Sequence, residues 1–122
     1  MRKQMGATIA VLLGAAVVAS GAGAKDGVRV AGTCTKASTS KLKLGREDAG
    51  TEIEFEVDQN RNGVRWRVVL LRNGVRVASR VAVTRAPSGS FEARFVAAGA
   101  GRFVARATSP SGEICRAAAS IA

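Results

Sequence analysis

The sequence has no His and no Tyr, a single Trp, two Pro and two Cys in 122 residues. Each shortage closes off a class of protein. His is the side chain that most often moves protons near neutral pH and the commonest metal ligand, so the familiar hydrolytic triads and His-based zinc sites are excluded. One Trp and four Phe provide no stacking platform for bases, which argues against nucleic-acid recognition. Two Pro and a 47% hydrophobic content are incompatible with wholesale disorder. Acidic groups are also scarce, 9 against 19 Lys and Arg. A small, basic domain without obvious catalytic equipment remains.

Residues 1–24 read as a secretory signal peptide. Arg2 and Lys3 precede an uncharged stretch from Met5 to Ala24 with its apolar centre at Ile9 to Val18, and Ala22 and Ala24 supply the small residues of a cleavage site. The alternative is a retained anchor, because the uncharged stretch approaches the roughly 20 residues that span a bilayer. Cleavage predicts an extracellular or cell-envelope protein with no membrane span. It leaves 98 residues, 25–122, as one domain carrying 17 basic and 9 acidic groups. A domain this small buries only roughly 60–70% of the surface of its unfolded chain, so a covalent constraint is useful.

Cys34 and Cys115 supply that constraint. They are the only cysteines, lie near the two ends of the exported chain, and in an oxidising compartment pair with each other. No C-x-x-C motif or further soft ligand supports a redox or metal pair.

Between them the pattern has period two. Leu42 and Leu44 alternate with Lys; Ile53, Phe55 and Val57 alternate with Glu52, Glu54, Glu56 and Asp58; Trp66, Val68 and Leu70 alternate with Arg65 and Arg67. Val75 to Val83, Phe91 to Phe95, Phe103 to Ala107 and Cys115 to Ile121 continue it, and Val28 to Cys34 opens it. Such alternation predicts half-buried strands. Asn62-Gly63 and Asn73-Gly74 are the dipeptides of tight hairpins, and Pro87-Ser88-Gly89 and Pro110-Ser111-Gly112 mark two later turns. The expected fold is all-β, a single immunoglobulin-like sandwich of about seven or eight antiparallel strands.

The segments Ser40 to Leu44, Glu52 to Asp58, Trp66, Asn73-Gly74, Pro87 to Phe91 and Gly112 to Cys115 together resemble a group of small exported actinobacterial proteins with an immunoglobulin-like domain. The resemblance covers most of the exported chain. It implies export and the sandwich fold, and it brings no catalytic residues. Fourteen Arg against five Lys, with abundant Ala and Gly, suits a high-GC host. Unlike the bridge of antibody domains, Cys34–Cys115 links the first and last strand segments.

Strand parity then assigns candidate sites. In an immunoglobulin order Arg65, Arg67, Arg76, Arg80, Arg102, Arg106 and Arg116 fall outward on one sheet, and Glu52, Glu54, Glu56, Asp58 and Glu92 on the other. An Arg-rich face can hold phosphate or sulfate bidentately, and it is equally what a solvated, edge-protected strand surface requires. The spacing of Glu52, Glu54 and Glu56 is nominally that of glycoside-cleaving carboxylates, but regular strand positions offer no cleft to perturb them. Asp58, Asn60 and Asn62, followed by Gly63, match the opening of a calcium loop; Val69 stands where its closing Glu belongs, and the same residues suit a turn.

The expected function is that of a secreted, non-catalytic binding or structural module. Its Arg face would contact anionic envelope or extracellular polymers, without a cofactor. The alternatives are a small-molecule carrier of the secreted chromoprotein type and a protease inhibitor.

Overall fold

The structure, a computed structural model, describes residues 27–122. The signal segment and its cleavage site lie outside the described residues.

Among the described residues nine strands form: β1 (Val28–Ala31), β2 (Thr33–Cys34), β3 (Thr39–Glu47), β4 (Gly50–Asp58), β5 (Arg65–Arg72), β6 (Val75–Val83), β7 (Ser90–Ala98), β8 (Gly101–Thr108) and β9 (Ile114–Ile121). They make two antiparallel sheets, in the orders β1-β3-β4-β7 and β2-β9-β8-β5-β6. The all-β, two-sheet expectation holds. The strand count exceeds it because the run from Val28 to Cys34 splits at Gly32, giving β1 to one sheet and β2 to the other. Gly32 is required there: its N–H donates to the Ser40 carbonyl at 2.8 Å, and a Cβ would press within 2.6 Å of the Arg116 carbonyl oxygen.

Period-two alternation fills the space between the sheets. Leu42, Leu44, Ile53, Phe55, Val57, Phe91, Ala93 and Phe95 descend from one sheet, and Trp66, Val68, Leu70, Phe103, Ala105, Ala107, Cys115 and Ala117 from the other. Trp66 is fully buried, tilted against Phe91 at 5.9 Å between ring centroids. Its indole N–H donates to Gln59 Oε1 at 3.1 Å, so the one buried polar atom of the ring is satisfied.

Asn73-Gly74 forms the hairpin between β5 and β6, both residues at positive φ (52° and 85°), as a two-residue primed turn demands. Asn62-Gly63 does not form a hairpin. It lies in the connection from β4 to β5, which changes sheets, and Gly63 N–H and Val64 N–H both bond to Thr84. Residues that tolerate the left-handed region serve any tight turn, so the dipeptide alone does not specify a hairpin.

Cys34 and Cys115 are joined, and they stand directly opposite one another in the β2–β9 ladder, with Cα atoms 4.0 Å apart and a sequence separation of 81. The bridge closes the two ends of the domain within one sheet. The group of Cys34, Cys115 and Glu113 has its donor atoms within 4.8 Å of one another, but both sulfurs are consumed by the disulfide.

Candidate functional site: an arginine-bearing sheet face

The five strands β2, β9, β8, β5 and β6 contain no Asp and no Glu, and no Lys; every ionisable group in them other than the bridged cysteines is an Arg. Register decides which of these share the outer face. On β8, Phe103, Ala105 and Ala107 point into the core, leaving Arg102, Val104, Arg106 and Thr108 outside. Arg106 is directly opposite Arg116 on β9, and Arg67 on β5 is opposite Thr108, which puts it diagonal to Arg106. Opposed residues have Cβ atoms about 5 Å apart and diagonal ones about 7–8 Å. Arg65 precedes Arg67 on the same side of β5, so four guanidinium groups gather at one end of the face. Arg76, opposite Leu71, and Arg102 occupy the other end, beside the Asn73-Gly74 hairpin, where Asn73 Oδ1 accepts the Arg102 N–H at 3.0 Å.

Between the two groups runs an apolar band of Val69, Leu71, Val104 and Ala118. Val69 and Val104 face outward yet are only 8% exposed. Shielding at that level on an open sheet fits long Arg side chains laid along the surface, with their aliphatic stems over the valines and their charged ends in water. Among the described residues none of these six Arg side chains makes an ion pair.

Arg80 does not join them. It is opposite Val68, a core-facing residue, and its guanidinium carbon lies 4.5 Å from the centre of the Phe95 ring on the other sheet. The same parity turns Val81 and Val83 outward, although the alternation of Val75, Val77, Val81 and Val83 reads as a core pattern in sequence. The cause is a bulge between Leu70 and Leu71, which inserts one residue into β6 and shifts its phase. Arg80 therefore caps the open side of the sandwich by a cation–π contact. Two open recesses of about 540 and 410 Å³ flank it.

The opposite face is not simply acidic. Glu52, Glu54, Glu56 and Asp58 lie in a row on β4, but Lys41 and Lys43 stand on β3 opposite Glu56 and Glu54, and Arg29 on β1 is opposite Lys43. On the other side, Arg94 reaches Glu54 at 3.0 Å, Glu52 at 3.2 Å and Glu92 at 3.5 Å, and Lys41 reaches Glu56 at 3.3 Å. The carboxylate row is thus neutralised by its neighbours in the sheet. Parity had foreseen the carboxylates but not the cations interleaved with them.

At the proposed calcium loop, Asp58 Oδ1 accepts the Asn60 N–H at 3.1 Å, and Asn60 takes a positive φ of 59°. Asp58 caps a turn, and the loop's Gln59 anchors Trp66. Gln59 and Glu113, two polar residues with clear structural work, carried no signal in the sequence, because their partners Trp66 and Ser38 are fixed only by the fold.

No helix among the described residues is long and apolar enough to cross a membrane. Comparison with protein-family models finds no match, and comparison with curated proteins finds none either.

Proposed function

We propose that this chain is an exported, non-catalytic binding module that holds anionic envelope or extracellular polymers on the outer face of its five-stranded sheet. The observation that carries this reading is the sign of that face: Arg65, Arg67, Arg76, Arg102, Arg106 and Arg116 share it with no carboxylate, and Arg106 and Arg116 stand directly opposite each other. Like charges opposed across a ladder cost stability, and the face offers nothing internal to relieve them. A polyanion does so. The exclusive use of Arg favours oxyanions held by paired N–H groups over diffuse attraction.

The domain type belongs to the same proposal. The order β9-β8-β5-β6 follows the G-F-C-C′ order of a variable-type immunoglobulin sheet, with Trp66 at the strand C position. The other sheet departs from that pattern, because the β3–β4 hairpin places β4 where the order A-B-E-D has E. The disulfide accords with export into an oxidising compartment, as does the resemblance to small exported actinobacterial proteins.

The test is titration of the purified chain with dextran sulfate at two salt concentrations. Affinity should fall steeply as salt rises, since binding releases counterions. Replacement of Arg67, Arg106 and Arg116 by Ser should abolish most of it, while Arg29→Ser on the opposite face leaves it unchanged. Equal binding by the triple variant overturns the reading.

A further inference from the structure

Of the five large hydrophobic residues that are well exposed, three lie on β6: Val75, Val77 and Val81, each at least 44% open to solvent. Register sets them among the arginines. Val81 stands directly opposite Arg67 and Val83 opposite Arg65, both pairs on the outer side of the sheet, and Val77, the extra residue of the bulge, follows Arg76. The β5–β6 margin of the Arg face is therefore part basic and part apolar. The recess beyond it, on the open side of the sandwich, adds Arg80 and Arg85, and the two carboxylates that line it, Glu56 and Glu92, are engaged by Lys41 and Arg94.

A hydrophilic polyanion satisfies the guanidinium groups of such a margin and leaves its valines in water. An occupant that satisfies both carries anionic groups over an apolar phase, which is the make-up of a lipid surface. A strand of another chain fits less well. The bulge at Val77 breaks the alternation of β6, so a regular partner strand cannot keep inward residues against inward ones along its whole length, and Arg76 and Arg80 blunt the edge. A bilayer imposes no register.

We propose that the β5–β6 margin docks on the surface of an anionic bilayer, with Arg65, Arg67 and Arg76 among the headgroup phosphates and Val77 and Val81 at the boundary with the acyl chains. The proposal rests on the anion-binding reading of the Arg face and adds the apolar half of the contact. Attachment is peripheral and has two parts. Anionic headgroups draw in basic side chains over about a Debye length, roughly 8 Å at physiological salt, and the exposed valines then leave water.

Co-sedimentation of the purified chain with large vesicles tests the proposal. Binding is expected to vesicles of mixed phosphatidylglycerol and phosphatidylcholine, and not to phosphatidylcholine alone. The double variant Val77→Ser, Val81→Ser should bind the anionic vesicles about tenfold more weakly, as the loss of two half-exposed valines implies, and should bind dextran sulfate as the parent does. Val96→Ser, on the other sheet, should leave vesicle binding unchanged. Should the double variant lose its fold, as judged by the near-ultraviolet signal of Trp66, Val81→Trp decides. Indole favours the membrane interface, so this variant should bind anionic vesicles several-fold more tightly, whereas Val96→Trp should bind them as the parent does. A parent that binds dextran sulfate but not anionic vesicles, a folded double variant that binds them undiminished, or equal gains from the two Trp variants overturns the lipid proposal and leaves the polymer reading standing. A parent that binds neither overturns both.

Discussion

The carboxylate of Glu113 accepts both the backbone N–H of Ser38, at 3.0 Å, and the Ser38 hydroxyl, at 2.8 Å, across 75 residues of sequence. Glu113 is 3% exposed, and its own N–H donates to Ser109 Oγ at 3.1 Å. The pair therefore ties the β2–β3 loop to the β8–β9 turn beside the disulfide. Removing the acceptor strands a buried N–H and a buried hydroxyl, and a hydrogen bond to a charged group is worth about 1.5–3 kcal/mol. Glu113→Ala should lower unfolding free energy by about 2–4 kcal/mol, and Glu113→Gln by less, because its amide oxygen still accepts one of the two donors. Urea denaturation followed by Trp66 fluorescence measures both. A loss below about 0.5 kcal/mol for the Ala variant would show that water replaces the carboxylate.

The Cys34–Cys115 bridge closes a loop with a sequence separation of 81 residues. In the chain-entropy account such a loop destabilises the unfolded state by about 4.5 kcal/mol. A variant with both cysteines replaced by Ser should lose a stability of that order, which is most of what a small domain has. Comparing urea midpoints of the two forms tests this. A double variant as stable as the parent would mean that the β2–β9 ladder holds without covalent help.

Much of this architecture could be read from the sequence, and the misses have physical causes. The cysteine pair follows from there being only two cysteines, and the two-sheet all-β fold and the buried residues of β3, β4, β5, β7 and β8 follow from period-two alternation. β6 broke the rule. A bulge at its partner's Leu70 and Leu71 shifts its phase, so Ala78, Arg80 and Ala82 face the opposite sheet and the valines face water. Nothing local in Val75 to Val83 announces a bulge, because it is decided by pairing with β5. Six of the seven candidate Arg lie on the expected face because alternation runs unbroken to them, and Arg80 does not because it lies beyond the bulge. The cations that neutralise the carboxylate row were missed because sheet order, which sets Lys41 and Arg94 on either side of it, is not encoded in any single strand.

Arg94 is the central cation of that row, with three carboxylates within 3.5 Å and 57% of its side chain exposed. Exposed pairs are individually worth about 0–1 kcal/mol, and salt screens them. Arg94→Gln should therefore cost about 1 kcal/mol at low ionic strength, where Glu52, Glu54 and Glu92 are left to repel one another. The cost should shrink toward zero in about 1 M salt, where the Debye length is only about 3 Å. Thermal melts of parent and variant across a salt series provide the comparison. A cost unchanged by salt would assign Arg94 a packing role instead.

The opposite dependence is expected for the Arg face. Arg67, Arg106 and Arg116 repel one another without a carboxylate near them on their sheet, so added salt should stabilise the parent through this term. Replacing Arg106 by Ser removes the group common to both close pairs, one directly opposed and one diagonal. Such like-charge pairs cost roughly 0.2–1 kcal/mol each. The variant should melt at or above the parent's temperature in low salt, and its midpoint should rise less as salt is added. A destabilised Arg106→Ser at every salt concentration would mean that the Arg106 stem, opposite Val69 in the ladder, contributes more by covering apolar surface than its charge takes away, and that the Arg of this face serve packing and not a ligand.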